Sequence, residues 1–140
     1  MHCILLSDGR LLHDFSFKTT TQTCVDFLER KLKNVRDFLI VHDRHTANRS
    51  PRVQAIFQKA GVRTLLTPAT ACPLSSVETV FGIVKERYRK WLQGLWGEAT
   101  AEESTVKIKE IFDNIGRSEA RKVCRVAFPV YSRVLEGHPC

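Results

Sequence analysis

Apolar residues in the first 42 positions follow a pattern that predicts two strands, a helix and a third strand. Two short apolar-rich runs, residues 2–7 and 10–15, are separated by an Asp-Gly pair. This pair favours a tight hairpin because both residues tolerate positive φ. After a threonine-rich stretch, apolar residues at helical spacing predict an amphipathic helix over 22–34. The continuous apolar run 38–41 is typical of a strand buried on both faces.

The middle of the chain predicts a helix, a strand and a long helix. A serine-proline pair at 50–51 favours a helix start, since serine caps and proline fits the first turn, and Gly61 favours its end. Residues 62–66 are a strand-sized apolar run, and a loop with two prolines follows over 67–74. A sustained apolar stripe with a period of 3.6 residues then runs from position 77 to position 95.

The last third of the chain is predicted to be helical. Thr100 and Glu103 have the spacing of a capping box, and apolar positions continue from there to Gly116. A final apolar stripe is interrupted by Pro129, which we expect to kink or divide the helix because proline lacks a backbone N–H. Strands that alternate with helices in this order indicate an α/β sheet with crossover connections.

Composition indicates a folded domain that does not enter a membrane. The chain has 140 residues, of which 43% are hydrophobic and 26% charged, so a packed core is expected. No apolar run approaches the roughly 18 residues that a membrane helix needs. The start of the chain lacks the basic region of a signal peptide. We therefore expect a soluble, intracellular protein.

Charge and cysteine content narrow the choice of partner and compartment. Twenty-two basic residues against fifteen acidic ones give a net charge of +7, which favours a polyanionic partner through phosphate neutralisation. The five cysteines include no C-x-x-C pair. Scattered cysteines in an odd number fit reduced, mostly buried thiols better than a disulfide framework.

Two carboxylates occupy positions suited to metal chemistry. Asp43 follows a predicted buried strand, and Glu78 lies in the first turn of the predicted long helix. Open α/β sheets bind ligands at the carboxyl ends of their strands. Two carboxylates meeting there could share divalent cations through oxygen and serve in-line phosphoryl transfer.

The long helix adds cations beside Glu78. At 100° per residue, Lys85 and Arg89 fall on the same flank as Glu78, with Gly82 beside them. A carboxylate, two cations and a position without a side chain suit a phosphate backbone that passes close to the helix.

Simpler interpretations of the same residues stay open. Ser75 and Glu78 have the spacing of a capping box, so Glu78 could be a purely structural cap. Asp43 could begin the loop that leads to the next helix. His42 and His45 have spacing compatible with zinc, but two histidines without a clear third and fourth ligand are insufficient.

Residues 38–92 resemble the catalytic core of mariner-superfamily transposases and their bacterial insertion-sequence relatives. Residues 41–50 stand where the family has a strand that ends in its second catalytic aspartate. Residues 74–78 stand where a proline-containing loop ends in the family's catalytic glutamate. The 34 residues that separate Asp43 from Glu78 match the interval typical of one large branch of this superfamily.

The resemblance implies an RNase H-like fold, a mixed sheet flanked by helices, that is truncated at its N-terminus. Residues 1–97 would form a partial DDE catalytic domain, and residues 98–140 a C-terminal helical extension packed on it. The family's first aspartate lies on an opening strand that has no counterpart here. Because that strand would lie between them, we expect residues 2–7 to pair directly with 38–42, or the chain to be marginally stable.

The resemblance also implies a function: metal-dependent DNA cleavage and strand transfer in DNA transposition. Asp43 and Glu78 would be catalytic ligands of Mg²⁺ or Mn²⁺. With one carboxylate missing, the chain is expected to be inactive alone. DNA would be the partner, a homodimer the assembly, and the nucleus or nucleoid the location. The implied DNA contacts are Arg44, His45, Lys85 and Arg89.

This chain departs from the family pattern beside both carboxylates. Ser75-Ser76 replaces the usual Asn-Pro before the glutamate, and Arg44-His45 replaces Asn-Ala after the aspartate. Two rival hypotheses therefore remain. The chain could be a non-catalytic DNA-binding or protein-interaction remnant of a transposase, or an unrelated α/β domain whose carboxylates are local caps.

Overall fold

The computed structural model describes residues 2–16, 18–36, 38–42, 45–66 and 76–136. These residues form a mixed α/β fold of short strands and longer helices. In chain order the elements are β1 (His2–Leu5), β2 (Leu11–Asp14), α1 (Thr21–Lys31), β3 (Leu39–His42), α2 (Pro51–Ala60), β4 (Arg63–Leu66), α3 (Ser76–Gln93), α4 (Ala101–Asp113) and α5 (Arg117–Leu135).

The predicted hairpin is confirmed. β1 and β2 pair antiparallel, with His2 opposite Asp14. The Leu6 amide donates to the Arg10 carbonyl, and the Gly9 amide donates to the Leu6 carbonyl, each over 2.9 Å. Gly9 has a φ of 85°, so the turn closes with a glycine bulge in which Gly9 and Arg10 both oppose Leu6.

The second pair of strands is parallel and is connected by α2. β3 and β4 pair in register from Leu39 opposite Arg63. The predicted ends of α2 are confirmed, because the Ser50 hydroxyl accepts a hydrogen bond from the Val53 amide and Gly61 is left-handed with a φ of 68°. A parallel pair needs such a crossover, since no tight turn can join two strands that run the same way.

Of the two alternatives expected for the sheet, direct pairing of the first and third strands is wrong, and marginal stability stays a prediction. Among the described residues β1 pairs only with β2 and β3 only with β4, which gives two separate two-stranded sheets. Residues 2–7 therefore do not pair directly with 38–42. Side chains connect the two sheets instead: the Arg10 guanidinium lies 5.7 Å from the centre of the Phe38 ring, and Leu6 and Ile40 belong to the same buried cluster.

Two hydrophobic clusters lie on opposite sides of the hairpin. The first joins α1, α2 and β3, and the second joins α3, α4 and the start of α5. The hairpin contributes to both, because successive side chains of a strand point to opposite faces. Ile4 and Leu12 contact the first cluster, and Cys3, Leu5 and Leu11 contact the second.

The C-terminal helices are docked by polar contacts as well as by the second cluster. Thr100 and Glu103 form the predicted capping box at the start of α4. The Tyr88 hydroxyl lies 2.7 Å from the Ser104 hydroxyl, which connects α3 to α4. Arg117 of α5 lies 3.2 Å from the carboxylate of Asp8 in the hairpin turn.

Pro129 does not divide the last helix. α5 runs without interruption from Arg117 to Leu135 with Pro129 inside it. Of the two outcomes expected, a division is therefore wrong, and a kink stays a prediction. Proline removes only one hydrogen bond, the one to the carbonyl four residues earlier, and the turns on either side can continue. Within the described ranges, every helix is too short or too polar to span a bilayer.

Candidate metal and nucleic-acid site

Ring stacking and hydrogen bonds hold the strand before Asp43 and the loop after it in place. Asp43 and Arg44 themselves lie outside the described residues. β3 ends at His42, whose ring stacks on Phe57 with 5.8 Å between ring centres. In the loop, the Asn48 amide donates to the His45 carbonyl over 3.0 Å. The carbonyl of Asn48 accepts a hydrogen bond of 2.8 Å from the Gln54 side chain of α2.

His45 lies exposed in this loop. Its Nδ1 accepts a 3.3 Å hydrogen bond from the Ala47 amide, and Ala47 is buried in the first hydrophobic cluster. The imidazole is thus anchored to the body of the domain. Its role in binding DNA stays a prediction.

The first residue of β1, His2, packs against α1. His2 Nε2 lies 3.2 Å from the Thr23 hydroxyl and its ring stacks on Phe27. Burial lowers the pKa of His2, and the neighbouring His45 lowers this pKa further, while Asp14 raises it. The strand register accounts for the effect of Asp14, because it places Asp14 at the end of β2 opposite His2 at the start of β1.

Glu78 lies in the first turn of α3, with an exposed side chain. Two residues later, Val80 is completely buried in the second cluster, against which the hairpin residues Cys3 and Leu5 pack. Within the described part of the chain Glu78 has no hydrogen bond or ion pair. Ser75 lies outside that part, so the capping-box interpretation stays a prediction.

The topology gives Asp43 and Glu78 comparable places in the chain. β3 and β4 are parallel, so their carboxyl ends lie at one edge of the small sheet. Asp43 is the residue after β3, and the segment after β4 leads to α3 and Glu78. In the described ranges, no three His, Cys, Asp or Glu side chains are grouped to hold a metal. A joint metal site of Asp43 and Glu78 stays a prediction.

Two of the four cations of α3 are already paired. Arg87 donates to both carboxylate oxygens of Glu119 in α5, over 2.7 and 2.9 Å. Lys90 lies 3.1 Å from the carboxylate of Glu86, one turn earlier. The Arg87 pair belongs to the packing between the helices.

The other two cations of α3 are exposed and have no partner among the described residues. Lys85 and Arg89 lie on the same flank as Glu78, as the helical spacing predicts. Gly82 lies beside them, and a Cβ added there would meet no atom within 4 Å. Glu78 and Arg89 are eleven positions apart, or about 16 Å along the helix axis at the usual rise. This surface of α3, formed by Glu78, Gly82, Lys85 and Arg89, is called the cationic face below.

The sequence interpretation missed the ion pair at Asp14, which it assigned only to a strand. Asp14 pairs with Arg30 of α1. Burial alone would raise the pKa of Asp14, but the hydrogen bond and charge of Arg30, with the Phe15 amide, lower it overall. The hairpin register places Asp14 opposite His2, but no local pattern in the sequence pairs Asp14 with Arg30, 16 positions later.

Comparison with known proteins adds no relative: no protein-family model matches the chain, and no curated protein matches it. The fold and the site together define a mixed α/β domain whose helix α3 carries the cationic face. Function is therefore proposed from the chain's own residues.

Proposed function

We propose that this chain is a DNA-binding domain of the DDE transposase type, with an RNase H-like fold. The order of elements supports the proposal: a hairpin, a helix, a strand, a crossover helix, a parallel strand and then the helix that carries Glu78. Asp43 comes directly after β3, where the resemblance to the family requires a carboxylate.

The cationic face is the observation that carries the proposal. Lys85 and Arg89 are exposed and unpaired within the described ranges, whereas Arg87 and Lys90 have acidic partners. About 16 Å of α3 between Glu78 and Arg89 equals roughly five base-pair steps of duplex DNA, at about 3.4 Å per step. Lys85 and Arg89 neutralise phosphates, and the open space at Gly82 lets the backbone approach the helix.

The chemistry proposed for this face is metal-dependent phosphoryl transfer, with an incomplete set of ligands. Asp43 and Glu78 would hold Mg²⁺ or Mn²⁺ through oxygen, as hard cations prefer. Two metals at a fixed separation activate the attacking oxygen and stabilise the leaving one. The family's first aspartate has no counterpart in these 140 residues, so the chain binds the metal weakly and does not transfer strands by itself. Action on DNA places the protein in a nucleus or nucleoid, as a homodimer in the manner of the family.

The first experiment measures the affinity for duplex DNA over a range of salt concentrations. Lys85→Gln with Arg89→Gln should weaken binding and reduce the slope of log K against log salt by about 2, one for each lost phosphate contact. Lys90→Gln is the control, because it removes one positive charge from the same helix at a residue that is already paired with Glu86. Its effect is compared with half of the effect of the double variant.

The proposal fails if wild type does not bind DNA in a salt-dependent way. It also fails if the control variant and the double variant lower the slope equally per charge removed, because net charge rather than the cationic face would then explain binding.

The second experiment tests the chemistry by Mn²⁺-dependent nicking of supercoiled DNA. We expect no nicking by wild type, Asp43→Ala or Glu78→Ala, and a weak Mn²⁺ affinity that either substitution removes. Nicking by wild type that either substitution abolishes would show that the two carboxylates suffice for cleavage, and the assignment of an inactive site would be wrong.

The runner-up is a DNA-binding or partner-binding remnant without a metal site. The unpaired cations favour it independently of Asp43, since they bind phosphate without any metal. It predicts that Glu78→Ala leaves metal affinity unchanged and slightly strengthens DNA binding, because a negative charge is removed from the cationic face. If Glu78 is only a cap, the same substitution costs about 0.5–2 kcal/mol of stability and DNA binding does not change.

A further inference from the structure

A groove runs between α1 and α2, on a surface to which α3 contributes no lining residue. It consists of two adjoining cavities of about 270 and 470 Å³, which share the lining residues Glu29, Ile56 and Lys59. The two helices run in the same direction, because Arg52 near the start of α2 donates to Gln22 near the start of α1 over 2.9 Å. Their ends also lie together, since the larger cavity is lined by Leu32, which follows α1 directly, and by Ala60, the last residue of α2.

The inner wall of the groove is apolar. Leu28, Leu32 and Val35 line the larger cavity from the α1 side, and all three belong to the first hydrophobic cluster. Ile56 lines both cavities and is only partly buried. An apolar wall of this kind favours an occupant that also presents apolar side chains.

The rim of the groove is cationic. Four cations line the two cavities against a single carboxylate, Glu29: these cations are Lys33, Arg36, Arg52 and Lys59. None of the four forms an ion pair within the described ranges, and Arg52 bonds only to the neutral amide of Gln22.

The helix dipoles do not account for this charge. Cations near a helix C-terminus, such as Lys59 in α2, are stabilised by the dipole of the helix. Arg52, by contrast, is the second residue of α2, whose first turn contains no acidic residue. A cation there is opposed by its own helix dipole, so an external anion would complete its surroundings.

We propose that this groove binds an acidic amphipathic helix of a partner protein. The wall formed by α1 from Val25 to Lys31 is seven residues long, or about 9 Å between its first and last residues, which accommodates roughly two helical turns. An apolar stripe would lie on the inner wall while acidic residues on its flanks meet the cations, in the helix-in-groove mode of recognition. Cations at both ends of the groove favour several carboxylates over a small ligand with one charge.

The test uses a fluorescein-labelled helical peptide of about 14 residues, roughly 21 Å long as a helix. Leucines lie at positions i, i+3, i+4 and i+7 with glutamates on both flanks, and a control peptide carries glutamine in place of every glutamate. Anisotropy at about 50 mM salt should show binding of the acidic peptide. Lys33→Gln with Lys59→Gln should weaken this binding about five- to tenfold, and the difference should shrink as salt is raised. Lys122→Gln, an exposed charge change in α5, should have no effect.

Three results would overturn the proposal: no binding of the acidic peptide, equal binding of the glutamine peptide, or unchanged affinity in the Lys33/Lys59 double variant. Duplex DNA provides the comparison with the proposed function. If the Lys33/Lys59 variant loses DNA affinity as strongly as the Lys85/Arg89 variant, the groove cations belong to a DNA surface. The groove proposal would then fail while DNA binding stands.

Discussion

Gly9 lies where the hairpin turn meets α5. Its φ of 85° is in the left-handed region, and a Cβ there would clash with the Arg117 carbonyl oxygen. Gly61 also has a positive φ, of 68°, but open space around it. A substitution at Gly61 would therefore cause backbone strain alone, whereas one at Gly9 would cause both strain and a steric clash.

We expect Gly9→Ala to lower the free energy of unfolding by more than about 2 kcal/mol, because strain and clash add. Gly61→Ala should cost only about 1 kcal/mol, the usual penalty for a left-handed non-glycine residue. Urea denaturation of both variants measures the difference. Equal losses would mean that the turn does not contact α5 closely.

Asp8 holds the hairpin turn to α5 by charge. Its carboxylate lies 2.7 Å from Arg10 and 3.2 Å from Arg117. Burial would raise the pKa of Asp8, but hydrogen bonds from the Arg10 amide and side chain, and from Arg117, lower it overall. A carboxyl group with a lowered pKa stabilises the fold above its unfolded pKa, near 3.9, and this contribution disappears as the pH falls towards the folded pKa.

The free energy of unfolding should therefore decrease as the pH falls below about 4. Asp8→Asn should make this decrease shallower and lower the stability near neutral pH, as measured by denaturation at a series of pH values. If the free energy of unfolding of the Asp8→Asn variant falls with pH as steeply as that of wild type, Asp8 does not contribute to the acid sensitivity.

At the scale of the element, replacing Gly82 by alanine should raise the stability of the protein and lower its affinity for DNA. It lies inside α3, it is exposed, and a Cβ there meets nothing within 4 Å. Gly82→Ala should raise the free energy of unfolding by about 0.5–1 kcal/mol, since alanine restricts the unfolded chain and favours the helix. If phosphate passes close to the cationic face, the added methyl group should still weaken DNA binding.

Thermal denaturation and DNA titration of the Gly82→Ala variant test both parts. Unchanged DNA affinity in a more stable protein would remove Gly82 from the proposed interface without affecting Lys85 and Arg89. A less stable protein would contradict the open surroundings of the glycine.

Helices were predictable from the sequence because their signals are local. Ser50-Pro51 and Gly61 fix both ends of α2 through contacts within a few residues. The helix expected over 22–34 ends earlier, at Lys31, and residues 33 and 34 form a turn. The exposure of Lys85 and Arg89 followed from helical spacing alone, whereas the pairing of Arg87 with Glu119 depends on a contact across 32 positions that no local pattern reveals.

At the scale of the molecule, strand pairing was the part that the sequence could not supply. Four strands were expected to join one sheet, yet β1 and β3 share a hydrophobic cluster without sharing hydrogen bonds. Pairing depends on how the helices set the distance between two strands, which is a property of the whole fold. Isolated two-stranded sheets are marginal in water, so packing on the helices must stabilise both pairs.

The separation of the sheets predicts a pattern of hydrogen exchange. The Leu6–Arg10 hydrogen bond fixes the alternation of the hairpin ladder, so the Ile4 amide points to β2. The Cys3 and Leu5 amides point to the opposite edge of β1, the free edge, which pairs with no other strand among the described residues. We expect the Cys3 and Leu5 amides to exchange at least about tenfold faster than the Ile4 amide.

The measurement is amide exchange by NMR at two protein concentrations. Equal protection of all three amides at low concentration would contradict the separate sheets. Protection of Cys3 and Leu5 that increases with concentration would show instead that a second chain adds to the free edge, as exposed strand edges tend to do.

The hairpin has a further consequence, because its two faces belong to different hydrophobic clusters. Neither hydrophobic cluster can lose its packing completely while β1 stays in place, so the two clusters should unfold together. Cys3 can report this event: burial raises the pKa of its thiol to about 12, which leaves very little reactive thiolate at neutral pH. Alkylation of Cys3 should accordingly proceed at the rate at which the hairpin detaches, and this rate would time the loss of both clusters at once.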